Sequence, residues 1–482
     1  MTERLTKIDG VHAMVERPGY DRNRLKTGIL HLGPGAFFRA HVAALTEAAI
    51  PLSEGDWGIE VASLRTAQVC DDLNAQNGLY TVLTRDSVGT TARVVGGVTG
   101  AHVALRDPEM LLRRLEDPNI RIVSLTVTEK AYGLDPATGG LDERNEAIAA
   151  DLVQRHAPTS VIGYLVEGLD RRRKQGVAPF TPLSCDNLPS NGVVLKRLVL
   201  DFAKRVDPEL ATWIGDNVSF PSTMVDRITP ASTEETYNDA ARLTGYADHA
   251  AVETEPFAQW VIEDRFPGGR PAWENVPGVL MVADVAPYEK MKLRMLNGTH
   301  SLLAYLGYLR GHEFIRDVME DPELVLIARR HLRVAATTLD ELPGFDLAAY
   351  AKQLIERFSN KAIAHRTYQI AMDGSQKLPQ RLLEPAMSVL DHGRQGETYA
   401  IGVAAWMRYA LGTDQNGRAY DIRDPRSDEI ARQLEGVEFC AEAIAARLFE
   451  LPGLFSRSLR ENLPWRRLVC AHLERIMPHV DH

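Results

Sequence analysis

The 482-residue sequence predicts an α/β domain followed by an all-α domain. In the first part, short apolar strands alternate with helical stretches, which is typical of a mostly parallel sheet. An apolar strand at 28–33 ends in glycine and precedes a helix at 36–49, and the run 121–127 has the composition of a strand buried on both faces. After about Val285 nearly every segment has a helical pattern. We therefore expect one domain at 1–284 and a second at 285–482.

The other elements of the first domain follow from period and turn signals. They are a strand at 57–63, a helix through Asp71 and Leu73, an antiparallel or edge pair at 79–84 and 92–98, a helix at 160–173 and a short strand at 180–184.

Composition excludes several classes of protein. The net charge is −10 with no long basic run, which argues against binding of nucleic acid. The four cysteines form no Cys-x-x-Cys pair, so neither a structural zinc site nor a disulfide framework is indicated. The chain has no run of 18 apolar residues and no apolar segment behind its first residues, so we expect no membrane span and a cytoplasmic location.

A glycine-rich turn follows the first strand. Gly33-Pro-Gly35 stands between the strand and the next helix, which is the context of a dinucleotide-binding turn. The usual third glycine is replaced by Phe38, and no acidic residue follows the second strand, where the chain has Arg65. A plain strand–helix turn is about equally consistent with this segment alone.

A polar cluster is predicted at the start of the second domain. On an α-helix Glu289, Asn297 and His300 lie about 60°, 140° and 80° round from Lys292, so the four share one flank with leucines. A partly buried lysine can lose its proton near neutral pH, as a general acid/base must. The competing interpretation is a surface lysine and a core histidine. The segment lies at the domain boundary, where small-molecule sites preferentially form.

A third polar segment, 184–192, follows the strand at 180–184. It contains Asn187 and is expected at the carboxyl edge of the sheet, where ligands of such folds bind. An Asx-rich turn that caps the next helix is the alternative.

Six ordered motifs extend over nearly the whole chain. They are Gly33-Pro-Gly-Ala-Phe-Phe-Arg39-Ala-His41, Ser124-Leu-Thr-Val-Thr-Glu129-Lys, Ser184-Cys-Asp-Asn187, Met224-Val-Asp-Arg-Ile228, Glu255-Pro-Phe-Ala-Gln-Trp260 and Lys292-x4-Asn297-x2-His300. In these motifs the chain resembles the mannitol dehydrogenase family of polyol-specific long-chain dehydrogenases. The resemblance implies a metal-free, NAD(P)-dependent oxidoreductase with a Rossmann-type N-terminal domain and a helical C-terminal domain.

The resemblance also implies roles for individual residues. Lys292 would be the general acid/base, Asn187 and Asn297 would donate to the developing oxyanion, His300 would bind a substrate hydroxyl and Glu289 would relay protons. The cofactor is expected to be NAD, with NADP not excluded. The residues expected to bind it are Gly33, Gly35, Ala36, Phe37, Arg39, Arg65, Glu129 and Asp226.

Within the family the chain resembles most the fructuronate reductases, also called D-mannonate oxidoreductases, in the segments 291–298 and 365–381. A sugar acid needs a cationic partner in a desolvated cleft, and Arg366 and Lys377 are the predicted candidates. Mannitol 2-dehydrogenase and other hexitol or pentitol dehydrogenases, such as those of arabinitol or sorbitol, remain alternatives.

Two other classes of protein compete with a dehydrogenase. A nucleotide-binding sensor would keep the glycine turn and lose Lys292 or the asparagines, and all three are present. A metal-dependent sugar isomerase would need ligands at metal spacing, which the sequence does not show. The sequence leaves the physiological direction of the reaction and the oligomeric state open.

Overall fold

The computed structural model describes residues 3–135, 138–342 and 345–478. The chain divides into two compact units, Met1–Ala286 and Pro287–His482. Each unit has its own fold.

A five-stranded parallel sheet forms the centre of the first unit. The strands of this unit are β1 Thr27–Leu32, β2 Gly58–Ser63, β3 Tyr80–Arg85, β4 Thr90–Val95, β5 Val98–Val103, β6 Ile122–Leu125, β7 Thr181–Ser184, β8 Thr223–Asp226, β9 Val252–Thr254, β10 Gln259–Glu263 and β11 Val279–Val282. The main sheet has the order β5-β2-β1-β6-β7 with every pairing parallel. The strand order reverses between β1 and β6, so the crevice at the carboxyl ends of these two strands is the expected ligand site.

Helices cover both faces of this sheet, which explains why its strands are continuous apolar runs. The helices are α1 Ala36–Ala40, α2 Val42–Ala49, α3 Gln68–Ala75, α4 Pro108–Glu116, α5 Glu146–Val153, α6 Val161–Gln175, α7 Asn191–Val206, α8 Pro208–Asn217 and α9 Glu234–Thr244. Short 3₁₀ helices lie at Arg22–Arg24, Ile50–Leu52, Glu129–Tyr132 and Trp273–Asn275. Along β1, Leu30 and Leu32 pack under α4, α6 and α7, while Ile29 faces the opposite side with Phe38 and Val42.

Two three-stranded sheets complete the unit, with the orders β11-β10-β8 and β4-β3-β9. The predicted antiparallel pair is confirmed as β3 and β4. The predicted strand at 92–98 is wrong at its end, because Gly96 and Gly97 separate β4 from β5, which joins the main sheet. The predicted helix at 36–49 is interrupted at His41, whose φ of −118° and ψ of −78° depart from helical values.

The second unit is helical, as predicted: its described residues form isolated β-bridges but no strand. Its helices are α10 Ala286–Met291, which begins at the boundary, α11 Gly298–Leu309, α12 Ile315–Val318, α13 Pro322–Ala336, α14 Leu347–Phe358, α15 Thr367–Ala371, α16 Gly374–Leu378, α17 Glu384–Asp391, α18 Glu397–Tyr409, α19 Ser427–Leu434, α20 Ala441–Phe449, α21 Arg457–Glu461 and α22 Leu463–Ile476. Two segments, Lys292–Asn297 and Pro379–Leu383, are π-helices.

Helix α11 is the centre of the second unit. It is buried on nearly all sides, and α13, α15 and α18 pack around it. A helix that is apolar all round is expected in a core, and this one continues directly from the first π-helix. The π segment is therefore anchored at its carboxyl end by the most buried helix of the unit.

Candidate active site

The glycine turn after β1 has a backbone that only glycine can adopt. Gly33 has a φ of +92°, and a Cβ atom there would lie 2.3 Å from the carbonyl oxygen of Thr126. Gly35 begins the following helix with open space around its α-carbon, since no atom lies within 4 Å of a built Cβ. The turn thus leaves backbone amides at a helix N-terminus approachable, which suits a pyrophosphate.

A cavity of about 220 Å³ lies beside this turn, at the carboxyl ends of β1, β2 and β6. Its lining residues are Gly33, Pro34, Gly35, Ser63, Leu64, Arg65, Thr66, Val69, Thr126, Val127 and Ala131. Three of the predicted cofactor residues, Gly33, Gly35 and Arg65, therefore line it. The crevice, the open helix start and the exposed cation together fit a dinucleotide.

A buried histidine packs against the glycine turn and its neighbouring strand. The ring of His31 stacks on Phe38 at 3.6 Å, and its nitrogens lie 2.8 Å from Ser124 Oγ and 2.9 Å from Thr126 Oγ1. Thr126 in turn donates to the Gly33 carbonyl at 2.7 Å. Burial lowers the pKa of His31 to about 3, so the ring is neutral at physiological pH.

Arg39 does not line the cavity, contrary to the prediction of a direct cofactor contact. Its guanidinium is buried and donates to the carbonyls of Pro34 at 2.5 Å and Ala250 at 3.1 Å. Ala36 and Phe37 are also absent from the cavity wall and pack towards the core, where Phe37 stacks on His41. The Arg39 and Phe37 side chains therefore contact other parts of the protein, the Ala250 carbonyl and the His41 ring.

Three other predicted residues lie on loops that follow strands of this unit. Asn187 is exposed, three residues beyond the end of β7, and Glu129 is exposed at the start of a 3₁₀ turn just after β6. Asp226 is the buried last residue of β8. Of these loops, the one after β6 contributes Thr126, Val127 and Ala131 to the cavity wall.

In the second unit the segment of the predicted lysine is a π-helix, so the α-helical angles used above are wrong. The Gly298 amide donates to the Leu293 carbonyl, five residues back. In this geometry residues five apart lie on successive turns of the helix. Asn297 therefore lies close to Lys292 along one side of the helix, whereas in an α-helix the two would be about 140° apart. Single π turns of this kind occur frequently at functional sites.

A close backbone contact accompanies the π turn. A Cβ atom at Gly298 would lie 2.9 Å from the Arg381 carbonyl oxygen and 3.2 Å from His331 Nε2. Arg381 belongs to the second π-helix, which packs against the first. Its side chain donates to Ser301 Oγ at 3.0 Å. The two irregular segments therefore support each other.

The polar side chains of the π turn are buried. Lys292 is 8% exposed, and Asn297 and His300 are each 7% exposed. Among the described residues the Asn297 Nδ2 and His300 Nε2 atoms have no hydrogen-bond partner, and neither does Nδ1 of His365, whose ring lies 4.7 Å from that of His300. Buried polar atoms of this kind cost free energy, so a cluster of them suggests a site that a polar ligand satisfies.

Three cationic side chains act on the pKa of a histidine in this cluster. The pKa of His300 is far below its usual value because the ring is buried, and the positive charges of Arg381, Arg357 and Lys377 lower it further. Burial, with a contribution from Lys377, lowers the pKa of His365 to about 4. Both imidazoles are therefore neutral at pH 7, while the neighbouring Arg357, Lys377 and Arg381 are cationic.

The two predicted carboxylate partners lie in different surroundings. Arg366 is 60% exposed, pairs with Glu313 and stacks over Phe314, so its placement does not support a substrate contact. Lys377 is three-quarters buried, donates to the Met372 carbonyl at 2.6 Å and lies 3.8 Å from Asp373. Glu289 is half-buried on α10, three residues before Lys292.

Sequence reasoning missed His365, Arg357 and Arg381 as members of the cluster. His365 and Arg381 lie at the two ends of the segment that carried the subfamily resemblance. Arg357 is in the last turn of α14, where a basic residue ordinarily complements the helix dipole, so no signal separated it from the other basic residues.

The fold and the cavity define a class of protein, one with a Rossmann-type dinucleotide-binding domain. Two family models cover most of the chain: the mannitol dehydrogenase Rossmann domain at residues 27–275 and the mannitol dehydrogenase C-terminal domain at residues 284–476. The chain belongs to the mannitol dehydrogenase family, and it is an oxidoreductase of polyols or sugar acids that uses NAD.

Relatives extend over nearly the full chain. D-mannonate oxidoreductase of Escherichia coli is 45% identical over 480 residues and covers 98% of both chains. The uncharacterized oxidoreductase YeiQ of the same organism is 47% identical over 452 residues, with 93% of this chain and 92% of YeiQ covered. The ternary complex of Pseudomonas fluorescens mannitol 2-dehydrogenase with NAD and D-mannitol superposes with a TM-score of 0.85 at 36% identity, covering 99% and 96%.

Two kinds of feature are absent from the part of the chain that the structure describes. None of its helices is long and apolar enough to cross a membrane. No group of three or more histidine, cysteine, aspartate or glutamate side chains in the same part of the chain is arranged to hold a metal ion. The cytoplasmic location stays a prediction.

Proposed function

We propose that the protein catalyses the reversible reduction of D-fructuronate to D-mannonate, with a lysine as general acid/base. The observation that supports this substrate is the group of cations, Arg357, Lys377 and Arg381, whose charges lower the pKa of the buried His300. The relative with 45% identity over 98% of both chains, D-mannonate oxidoreductase, supports the same assignment.

Lys292 gives a proton to the ketone oxygen as the carbonyl is reduced, and takes it back in the reverse direction. Bound NADH would supply the hydride for the reduction, and NAD⁺ would accept it in the reverse direction. Asn297, one π turn above Lys292, directs its unpartnered Nδ2 at the same oxygen and stabilises its developing negative charge. We assign the second such donor to Asn187, the binding of a substrate hydroxyl to His300 and the exchange of protons with solvent to Glu289.

The carboxylate of the substrate requires a cationic partner because an unpaired charge in a desolvated site is costly. Lys377, Arg357 and Arg381 all act on the pKa of His300, so they lie close enough to the cluster to offset that charge. Of the two predicted carboxylate partners, Arg366 and Lys377, this placement favours Lys377. A neutral ketose would gain little from these cations, so they distinguish the uronate from hexitols and pentitols.

The test is the ratio of kcat/KM for D-fructuronate to kcat/KM for D-fructose in Lys377→Met. We expect a loss of ~10²-fold for the uronate and a much smaller loss for fructose, as for removal of one partner of a buried charge pair. Lys361→Met is the matched control, because that lysine of the same unit is 74% exposed and pairs with Glu320. Equal losses for the two substrates would contradict the uronate assignment.

The second candidate is a mannitol 2-dehydrogenase. The solved relative that binds NAD and D-mannitol covers 99% of this chain, which favours this alternative over the pentitol enzymes. Its signature would be a higher kcat/KM with D-fructose than with D-fructuronate in the unmutated protein.

A further inference from the structure

A strained threonine lies in the chain between residues that line the cofactor cavity. Thr128 has a φ of 72° and a ψ of 153°, a backbone region that is essentially restricted to glycine. It follows Thr126 and Val127, which line the cavity, and it precedes the 3₁₀ turn that carries Glu129 and the cavity residue Ala131. Such strain persists only where the surrounding structure determines the backbone conformation, and it concentrates at functional sites.

One buried carboxylate holds this backbone in place. Asp186 accepts the Val127 amide at Oδ2 and the Thr128 amide at Oδ1, each at 3.0 Å. The Tyr132 hydroxyl, at the end of the 3₁₀ turn, donates to Asp186 Oδ2 at 2.7 Å and lies 2.7 Å from Ser184 Oγ. The carboxylate thus binds both ends of the segment 127–132, and it does so from the residue directly before Asn187.

The Asp186 backbone is itself fixed. Asn191 donates to the Asp186 carbonyl at 3.0 Å and to the Thr223 carbonyl at 3.0 Å, while the Cys185 amide donates to the Leu125 carbonyl at 2.8 Å. The loop after β7 is therefore held to β6 on one side and to β8 on the other. A displacement of the Asp186 carboxylate would therefore also displace the Val127 and Thr128 amides, which it binds through two charge-assisted hydrogen bonds.

We propose that Asp186 is a positioning residue whose carboxylate stabilises the strained conformation of Thr128, and that this conformation sets the shape of the cavity wall formed by the loop after β6. Asp186 does not touch the cofactor and acts through the amides of Val127 and Thr128. The inference goes beyond the proposed function, because it concerns cofactor affinity and holds for any substrate of the enzyme.

A matched control exists in the same unit. Asp151 is also a buried carboxylate that accepts two consecutive loop amides, those of Thr159 and Ser160, each at 2.8 Å. It lies on α5, and none of these three residues lines the cavity. Asp151→Asn therefore disturbs a comparable hydrogen-bonded loop without a route to the cofactor site.

The experiment measures the Kd for NADH by fluorescence titration and the Tm of Asp186→Asn, Asp151→Asn, Thr128→Gly and the double variant Asp186→Asn/Thr128→Gly. In Asp186→Asn the NH₂ of the new side chain would face one of the two backbone N–H groups, so we expect this variant to have a lower Tm and a ~10-fold higher Kd for NADH. Asp151→Asn should lower the Tm with a Kd within about twofold of the wild-type value.

Thr128→Gly separates strain from position. Glycine adopts the conformation without strain, so its Tm should not fall below that of the wild type, while its Kd for NADH rises several-fold as the loop gains alternative conformations. In the double variant glycine should restore the Tm lost in Asp186→Asn but not the affinity. A Kd that follows the Tm equally in Asp186→Asn and Asp151→Asn, or wild-type affinity in Asp186→Asn, would overturn the proposal.

Discussion

The cavity wall of the first unit and the polar cluster of the second unit differ in whether their polar atoms are hydrogen-bonded within the protein. Around the glycine turn the atoms are paired internally: the Gly33 carbonyl accepts from Thr126, and the Pro34 carbonyl from Arg39. In the second unit Asn297 Nδ2, His300 Nε2 and His365 Nδ1 have no partner among the described residues. The first site is rigidly shaped, and the second leaves hydrogen-bonding capacity for a ligand.

This difference indicates how the two sites bind. A dinucleotide is held largely by backbone amides and by shape, so its site requires a fixed turn. A polyhydroxy substrate is held by side chains that must exchange partners during the reaction. Each unpartnered buried group costs roughly 1–3 kcal/mol in the folded protein, a cost that the substrate hydroxyls offset on binding.

The largest expected effect separates the lysine of the cluster from its neighbour. Lys292→Ala should lower kcat by at least ~10³-fold with the Kd for NADH within a few-fold of the wild-type value, because only the transition state uses the proton transfer. Lys290→Ala is the control, since Lys290 lies two residues away and pairs with Asp340. Turnover near the wild-type value in Lys292→Ala would remove this lysine from the mechanism.

The asparagines are expected to matter next. Asn297→Ala and Asn187→Ala should each lower kcat by ~10²-fold, as the loss of one oxyanion donor typically does. Their effects should be non-additive, since we propose that both donate to one substrate oxygen. Steady-state kinetics of both single variants and of the double variant decide this, and additive losses confined to KM would mark them as ground-state binders.

A pair of glycine variants tests the rigid site. Gly33→Ala should lower the Tm and raise the Kd for NADH more than ~10-fold, because the new Cβ meets the Thr126 carbonyl. Gly35→Ala should leave the Tm within about 2 °C of the wild-type value, since its Cβ meets no atom within 4 Å. It should nevertheless weaken NADH binding several-fold, because its methyl group projects where the backbone must approach the cofactor. Unchanged NADH binding in both variants would mean that the turn does not hold the cofactor.

Arg65 provides a test of the preference between NADH and NADPH. It is exposed on the cavity wall where a carboxylate for the ribose hydroxyls is usual, yet we expect a higher kcat/KM with NADH than with NADPH. Arg65→Ala should reduce the remaining NADPH activity ~10-fold more than the NADH activity, since an arginine can meet a 2′-phosphate. An NADPH advantage in the unmutated protein would overturn the NAD preference.

The smallest effect is on stability at mildly acidic pH. Burial lowers the pKa of His331 from 6.5 to about 3, so between these values the unfolded chain binds the proton and the folded chain does not. The stability that this neutral histidine allows is present above about pH 6.5. As the pH falls below that value the free energy of unfolding decreases, and the decrease is about 1 kcal/mol at pH 6. Chemical denaturation at pH 8 and pH 6 should show a smaller loss in His331→Phe than in the wild type; an equal loss would contradict the assignment to His331.

The sequence predicted the parallel sheet and the glycine turn because strand periodicity and the requirement for a positive φ are local properties. It did not predict the π-helix. The pattern of residues 289–300 fits an α-helix, and the i→i+5 bonding accompanies a tertiary contact, the approach of the Arg381 carbonyl to Gly298. Contacts between residues more than 80 positions apart leave no local signal.

The arginines show the same limit. A basic residue after a glycine turn predicts a phosphate contact, but whether its guanidinium faces the ligand or the core depends on distant carbonyls such as that of Ala250, which Arg39 binds. Arg366 similarly pairs with Glu313, 53 residues away in the chain. Residue type and spacing predict which chemistry a site has available, whereas direction depends on packing.

The central claim is that the open polar cluster of the second unit serves an anionic sugar substrate. The most direct measurement follows oxidation of NADH by the unmutated protein with D-fructuronate, tagaturonate, D-fructose and D-xylulose in turn. We expect the highest kcat/KM with D-fructuronate, and a lower value with each neutral ketose. A neutral ketose that exceeds D-fructuronate would contradict the central claim and favour a mannitol 2-dehydrogenase or a related polyol enzyme.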